Sequence, residues 1–151
     1  MLTTLLLALL AALAFPTALN AEVTENTYQK GSLMFYLTRS YNRLNAGDFS
    51  GALADYDILI ENKHIYKIPN KELDLIYLNR GNAKSNLGNY SGALADHNKA
   101  LSLNRSNPLI YYNRGYVWFK LKNTSKGCND FRKASSLGDS YSDKIVEKYC
   151  M

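Results

Sequence analysis

The sequence predicts an all-α fold, with three helix-turn-helix units stacked as a solenoid and a capping helix at the C-terminal end. A first block, Tyr36-Leu37-Thr38-Arg39-Ser40, returns as Tyr77-Leu78-Asn79-Arg80-Gly81 and again as Tyr111-Tyr112-Asn113-Arg114-Gly115, at offsets of 41 and then 34 residues. A second block follows each first block at constant distance, as Gly47 to Tyr56, Gly88 to His97 and Lys122 to Phe131. A 34-residue period marks units of two helical segments joined at a turn, each too small to bury its own apolar face, so that stacking supplies the core.

Residues 1–21 stand apart. Leu2 to Phe15 is nearly all Leu and Ala, followed by Pro16, Thr17 and small residues ending at Ala21. This reads as the apolar and cleavage regions of an export signal cut near Ala21, which makes the mature chain periplasmic or secreted. The run is shorter than the roughly 18–20 apolar residues of a membrane span. No Lys or Arg precedes it, so retention as an N-terminal membrane anchor is the alternative. No Cys lies near the cut to accept a lipid. Residues 22–32 then form a linker and 33–151 a single repeat domain, long enough for a modest core.

The signal is uncharged, so the net charge of +5 belongs to the mature part. Its lysines are spread over several connections: Lys63, Lys67 and Lys71, then Lys120, Lys122 and Lys126, then Lys144 and Lys148. Spread charge solvates a surface, and without a basic stripe or a reading motif it argues against a nucleic-acid partner.

The units fall at about 33–66, 74–107 and 108–138, with the cap at 139–150. In the second unit Leu75, Leu78, Ala83 and Leu87 keep helical spacing until Gly88 ends the segment, and Ala93, Leu94, Ala100 and Leu101 mark the inner side of the next helix. Gly81 or Gly115 in a first helix, and Ala52 or Ala93 in a second, let two backbones approach where larger side chains would overpack. Asn107-Pro108 reads as a cap before a Pro at the first helical position, and Asn70 as the cap of the preceding unit. Gly138 stops the last repeat helix, and Asp139 or Ser140 caps the final one. Tyr141, Ile145, Val146 and Tyr149 are the residues expected to face inward there. The seven additional residues of the first interval fall between Ile60 and Asp74, with Ile65 to Pro69 as the inserted stretch, either helix or loop.

No constellation for catalysis or metal binding emerges, and neither a cofactor nor a small-molecule substrate is expected. His97 falls where Tyr56 and Phe131 stand in the other units, which marks it as a packed ring, and His64 has no Cys or second His at metal spacing. Asn89, Asn104 and Asn123 begin Asn-x-Ser/Thr triplets at about the number chance supplies. More informative is a charge pair at sixteen-residue separation, repeated as Arg39 with Asp55, Arg80 with Asp96 and Arg114 with Asp130. The pairs read as bidentate clamps that fix the angle of each hairpin, the alternative being an arginine ladder for an acidic partner.

Taken together, the early aromatic of each first helix, the small residue four places later, Gly-x-aromatic at the turn, and Ala, aromatic and Ala in the second helix resemble the tetratricopeptide repeat. The match covers about Leu33 to Gly138. It is fullest in the second unit, at Tyr77, Gly81, Gly88, Tyr90, Ala93 and Ala100. The third unit carries Lys122, Thr124 and Gly127 where Gly, Tyr and Ala are usual, and the first has Ser40 and Leu59 for the small residue and Ala. The resemblance implies a right-handed stack whose first helices line a concave face that holds a peptide or a partner's helix. It places Leu37, Tyr41 and Leu44 of the first unit on that face, with Asn79, Asn82 and Asn86 of the second and Tyr112, Asn113, Tyr116 and Lys120 of the third. The expected function is a non-enzymatic adaptor for a protein or peptide, the alternative a self-associating repeat protein whose first-unit end meets a second copy.

Cys128 and Cys150, the only cysteines, are expected to form a disulfide. They lie 11 residues to either side of residue 139, in the turn between the last repeat helix and the cap, so antiparallel helices bring them level. An exported chain meets the oxidising conditions this needs.

Overall fold

The computed structural model describes residues 29–150; the export signal expected at 1–21 and the expected linker as far as 28 lie outside the described residues. Seven helices follow in order: α1 Leu33–Asn45, α2 Phe49–Glu61, α3 Asn70–Asn86, α4 Tyr90–Leu103, α5 Pro108–Lys120, α6 Thr124–Ser136 and α7 Ser140–Tyr149. The described residues contain no strand. Each helix packs on the next, so α1/α2, α3/α4 and α5/α6 are hairpins, and α7 closes the stack against α6.

Local chemistry sets the boundaries. Asp48, Asn89 and Asn123 occupy one repeat position and cap α2, α4 and α6, accepting from Gly51 N at 2.9 Å, Gly92 N at 2.9 Å and Lys126 N at 3.2 Å. Two of the three Asn-x-Ser/Thr asparagines are thus helix caps, and the third, Asn104, donates its amide to Asp74 at 2.8 Å. Ser32, Asn107 and Asp139 cap α1, α5 and α7 in the same way. Asn70 does not cap α3: Pro69 holds the cap position and Asn70 is already helical, because the proline's fixed extended backbone brings the chain into the helix without a side-chain bond.

At the hairpin crossings the small residues are obligatory. A Cβ on Gly81 would lie 2.7 Å from the His97 ring and 3.3 Å from Ala93 O, and one on Gly115 would lie 3.1 Å from Gly127 O. The second helices fill the interior with one ring each, Tyr56, His97 and Phe131, all 0–1 % exposed. Leu37, Leu59, Ile76, Ile110 and Val117 complete the densest part of the core.

The seven-residue insertion is divided between a loop of turns at 62–69, held by Tyr66 N to Asn62 O and Ile68 N to Lys63 O, both 2.9 Å, and an earlier start of α3, which has 17 residues where α1 and α5 have 13. Ile68 turns into the core cluster that contains Leu37, and the Tyr66 hydroxyl donates to Gly31 O at 3.1 Å. The loop thereby ties the start of α1 to the junction of the first and second units.

On α7 the inward faces differ from the sequence reading. Ser142 and Cys150 are buried, Ile145 and Val146 half-buried, while Tyr141 and Tyr149 are 71 % and 55 % exposed. Cys150 is bonded to Cys128 across a separation of 22 residues, with Cα atoms 5.4 Å apart. That bond and the small Ser142 turn their side of the helix to α6, which leaves both tyrosines outside. Closing such a loop stabilises by about 3 kcal/mol in the chain-entropy account.

Candidate functional site

Each repeated Arg meets its Asp through two parallel bonds. Arg39 Nε and Nη2 donate to Asp55 at 2.9 and 2.6 Å, Arg80 to Asp96 at 2.8 and 2.6 Å, and Arg114 to Asp130 at 2.8 and 2.6 Å. The carboxylates are nearly buried and the guanidiniums partly so. The aromatic three residues earlier lies under each guanidinium, with Tyr36, Tyr77 and Tyr111 centroids at 5.3, 5.4 and 5.8 Å. The clamps thus join the two helices of every hairpin.

Two additions were legible in the spacing and missed. Arg43 Nη1 donates to Asp55 at 2.9 Å, and Lys84 Nζ pairs with Asp96 at 2.7 Å, both across twelve residues. Trp118 stands at the corresponding place in the third unit, under the Lys126 ammonium at 4.4 Å. Arg80 and Arg114 also reach back to the preceding unit, Arg80 Nη1 to Asp57 at 2.8 Å and Arg114 Nη1 to Asn98 Oδ1 at 2.6 Å. Burial opposes the charge of Arg80, but its hydrogen bonds and the charges of Asp96 and Asp57 outweigh this and hold its pKa above the ordinary value.

The first helices frame a cleft of about 250 Å³ that runs across all three units. Leu44, Asn82, Asn86, Asn113 and Tyr116 line it, as the sequence reading placed them; Phe49 and Ser85 line it as well and were missed. Ser85 sits three residues after Asn82 on the same helix face, a spacing that would have found it. Phe49 enters from the first residue of α2, just after the turn.

Two residues assigned to the concave face are not on it. Leu37 is 1 % exposed and belongs to the core, and Asn79 is 8 % exposed. Neither offers a surface for a peptide, and Leu37 offers none for a second copy. The corresponding third-unit residues, Tyr112 and Asn113, are half-buried, because a ten-residue cap follows there in place of a full repeat. Tyr41 is half-buried and lies outside the cleft lining.

Hydrogen bonding decides what the asparagines present. Asn82 Oδ1 is 3.2 Å from His97 Nε2, a contact in which the donor depends on the imidazole tautomer. Asn86 and Asn113 each donate to their own helix, at Asn82 O (2.9 Å) and Leu109 O (2.8 Å), so their oxygens remain as acceptors. Beyond Tyr116, Lys120 sits 5.0 Å from its ring centroid, and a hydrogen bond to Tyr116 raises the lysine's pKa. Burial, then the charges of Asp139, Tyr116 and Tyr141, raises the pKa of Tyr112, which places these groups together at the capped end.

His97 is wholly buried, and its pKa is pushed down to about 4, first by burial; Asp96 works against the fall and Arg114 with it. It is a neutral packing ring at neutral pH. Among the described residues no three His, Cys, Asp or Glu side chains are grouped to hold a metal ion. No described helix is long and apolar enough to cross a membrane.

No curated protein matches the chain. Residues 81–122 match a family model described as TPR repeat, from the crossing glycine of α3 through α4 to the turn after α5. That span holds the end of α3, the whole of α4 and α5, and the match to the tetratricopeptide repeat is to this part of the chain.

Proposed function

We propose that the protein is an exported adaptor that holds an extended peptide segment of a partner protein in the cleft of its first helices. Tetratricopeptide repeats generally mediate protein–protein interaction. The observation that carries the peptide reading is the set of side-chain amides that the cleft offers beside apolar area. Asn82 presents its amide, Asn86 and Asn113 present acceptor oxygens, and Leu44, Phe49 and Tyr116 supply apolar area. An extended backbone offers C=O and N–H groups that such amides can pair with.

The Cys128–Cys150 bond supports export, since such bonds persist in oxidising compartments, and so does the signal-like character of residues 1–21. Three units make a small interface, so an affinity near micromolar, about 8 kcal/mol, is the expected scale. The test is recovery of the partner from the native compartment on immobilised mature protein, wild type against Tyr112→Ala/Tyr116→Ala, with unfolding curves showing that both are folded. Recovery should fall at least tenfold. Equal recovery would remove the cleft from the account.

A further inference from the structure

A second cleft, about 350 Å³, lies between α4 and α5 and shares no residue with the concave one. Asn98, Leu101 and Ser102 of α4 form one wall, Tyr111 and Arg114 of α5 the other, and Arg105 of the connection stands at the rim. The repeat supplies its control. At the junction of the first and second units, Asp57 and Glu61 hold the positions of Asn98 and Ser102, and Arg80 holds that of Arg114. There Arg80 closes an ion pair with Asp57 at 2.8 Å.

At the later junction both acids are neutral, and a further cation has been added. Arg114 spends Nε and Nη2 on Asp130 and Nη1 on the neutral Asn98 oxygen. No carboxylate among the described residues pairs with Arg105, which is exposed. The local charge is thus reversed relative to the earlier junction, with one cation left uncompensated beside the Ser102 hydroxyl, the Tyr111 side chain and the apolar floor of Leu101.

We propose that this outer cleft is a binding site for a carboxylate side chain carried on a peptide segment of a partner protein. A monoanion matches the single uncompensated charge, whereas a phosphate dianion would leave one negative charge unmatched beside Asp130. Planar guanidinium suits a carboxylate, and Tyr111 and Leu101 give apolar contact to the methylenes that carry it. The site would read an acidic residue in a partner independently of the concave cleft.

The experiment is titration of the mature chain with N-acetyl-Leu-Glu-Leu-amide, followed by NMR of the Arg105 and Arg114 Nε–H and the Ser102 backbone amide. The Glu peptide should shift these signals saturably, and the Leu-Gln-Leu counterpart should not. Asn98→Asp rebuilds the pair that Asp57 makes with Arg80, so it should fold normally and weaken binding at least tenfold; Arg105→Gln should do the same. Tyr112→Ala/Tyr116→Ala should leave the titration unchanged. Equal binding of the Gln peptide, full binding by Asn98→Asp, or loss in the tyrosine variant would each overturn the assignment. Saturation of the same signals by inorganic phosphate at lower concentration than by the Glu peptide would overturn it in favour of a phosphate site.

Discussion

In the second unit Gly81 on α3 abuts Ala93 on α4, and Ser85 stands one turn further along; in the third unit the same places hold Gly115, Gly127 and Phe119. The methyl lost between Ala93 and Gly127 has been replaced by a ring from the other helix, since a Cβ on Gly127 would lie 2.2 Å from Phe119 Cδ1. Phe119 in turn packs edge-on against Phe131 at 5.1 Å, where the second unit has His97. Charge has been exchanged too: Asp96 receives Arg80 and Lys84, while Asp130 receives Arg114 alone among the described residues, with Trp118 at the lysine's position. What the repeat preserves is therefore occupied volume and a neutralised aspartate rather than residue identity.

The largest effect expected from this comparison concerns the clamps. Arg114→Met leaves Asp130 buried without a cation and should cost about 3–5 kcal/mol. Arg80→Met should cost about half as much, because Lys84 still reaches Asp96 and the half-exposed Asp57 is returned to water. Adding Asp130→Leu to Arg114→Met should recover most of the loss. Urea unfolding of the variants measures this, and equal losses for the two arginines would mean that Lys84 contributes nothing.

Next comes the interior ring. Neutral His97 has a folded pKa near 4 against the ordinary 6.5, so the unfolded chain binds the extra proton between those values. Stability is complete above pH 6.5 and falls as pH drops towards 4, by about 3 kcal/mol in all. His97→Phe copies Phe131 of the third unit and should remove this component, leaving only the carboxylate titrations at lower pH. A wild-type slope between pH 6.5 and 5 that survives in His97→Phe would show that the proton binds elsewhere.

A smaller effect tests the exchange of volume. Gly127→Ala should destabilise by about 1–3 kcal/mol through collision with Phe119. In a Phe119→Ser background, which restores the second unit's Ser85, the same change should cost little or stabilise, so thermal unfolding of the four variants should show strong coupling. Additive behaviour would mean that the ring yields without cost.

Positions that recur in three copies were readable because each copy checks the others. The arginine–aspartate clamps follow from three identical spacings, and His97 is a packing ring because Tyr56 and Phe131 share its slot. The features that escaped have no second copy or depend on what lies outside the unit. Leu37 and Tyr112 occupy one repeat position, yet one is buried and the other half-open, since exposure is set by the neighbour and not by the helix itself. The insertion had no template, so neither its division between loop and helix nor the inward turn of Ile68 was legible. Tyr141 and Tyr149 were assigned inward on apolarity, but the cross-link at Cys150 and the small Ser142 determine which side of α7 meets α6.

The smallest effect concerns the turn between the two helices of a unit. Gly47 and Gly88 adopt left-handed backbones with φ of 80° and 79°, and Lys122 holds the same position in the third unit at 58°. A side chain there crowds the following carbonyl, a strain of about 1 kcal/mol that glycine does not carry. Glycine in exchange loses more backbone freedom on folding, which returns about half of the gain. Lys122→Gly should therefore raise stability by about 0.5 kcal/mol, while Gly88→Lys in the second unit should lower it by a similar amount. Differential scanning of the two variants checks the sign. A loss in Lys122→Gly would mean that the lysine side chain makes contacts worth more than its strain, and that the third unit's turn, unlike the second's, is held by its side chain as well as by its backbone.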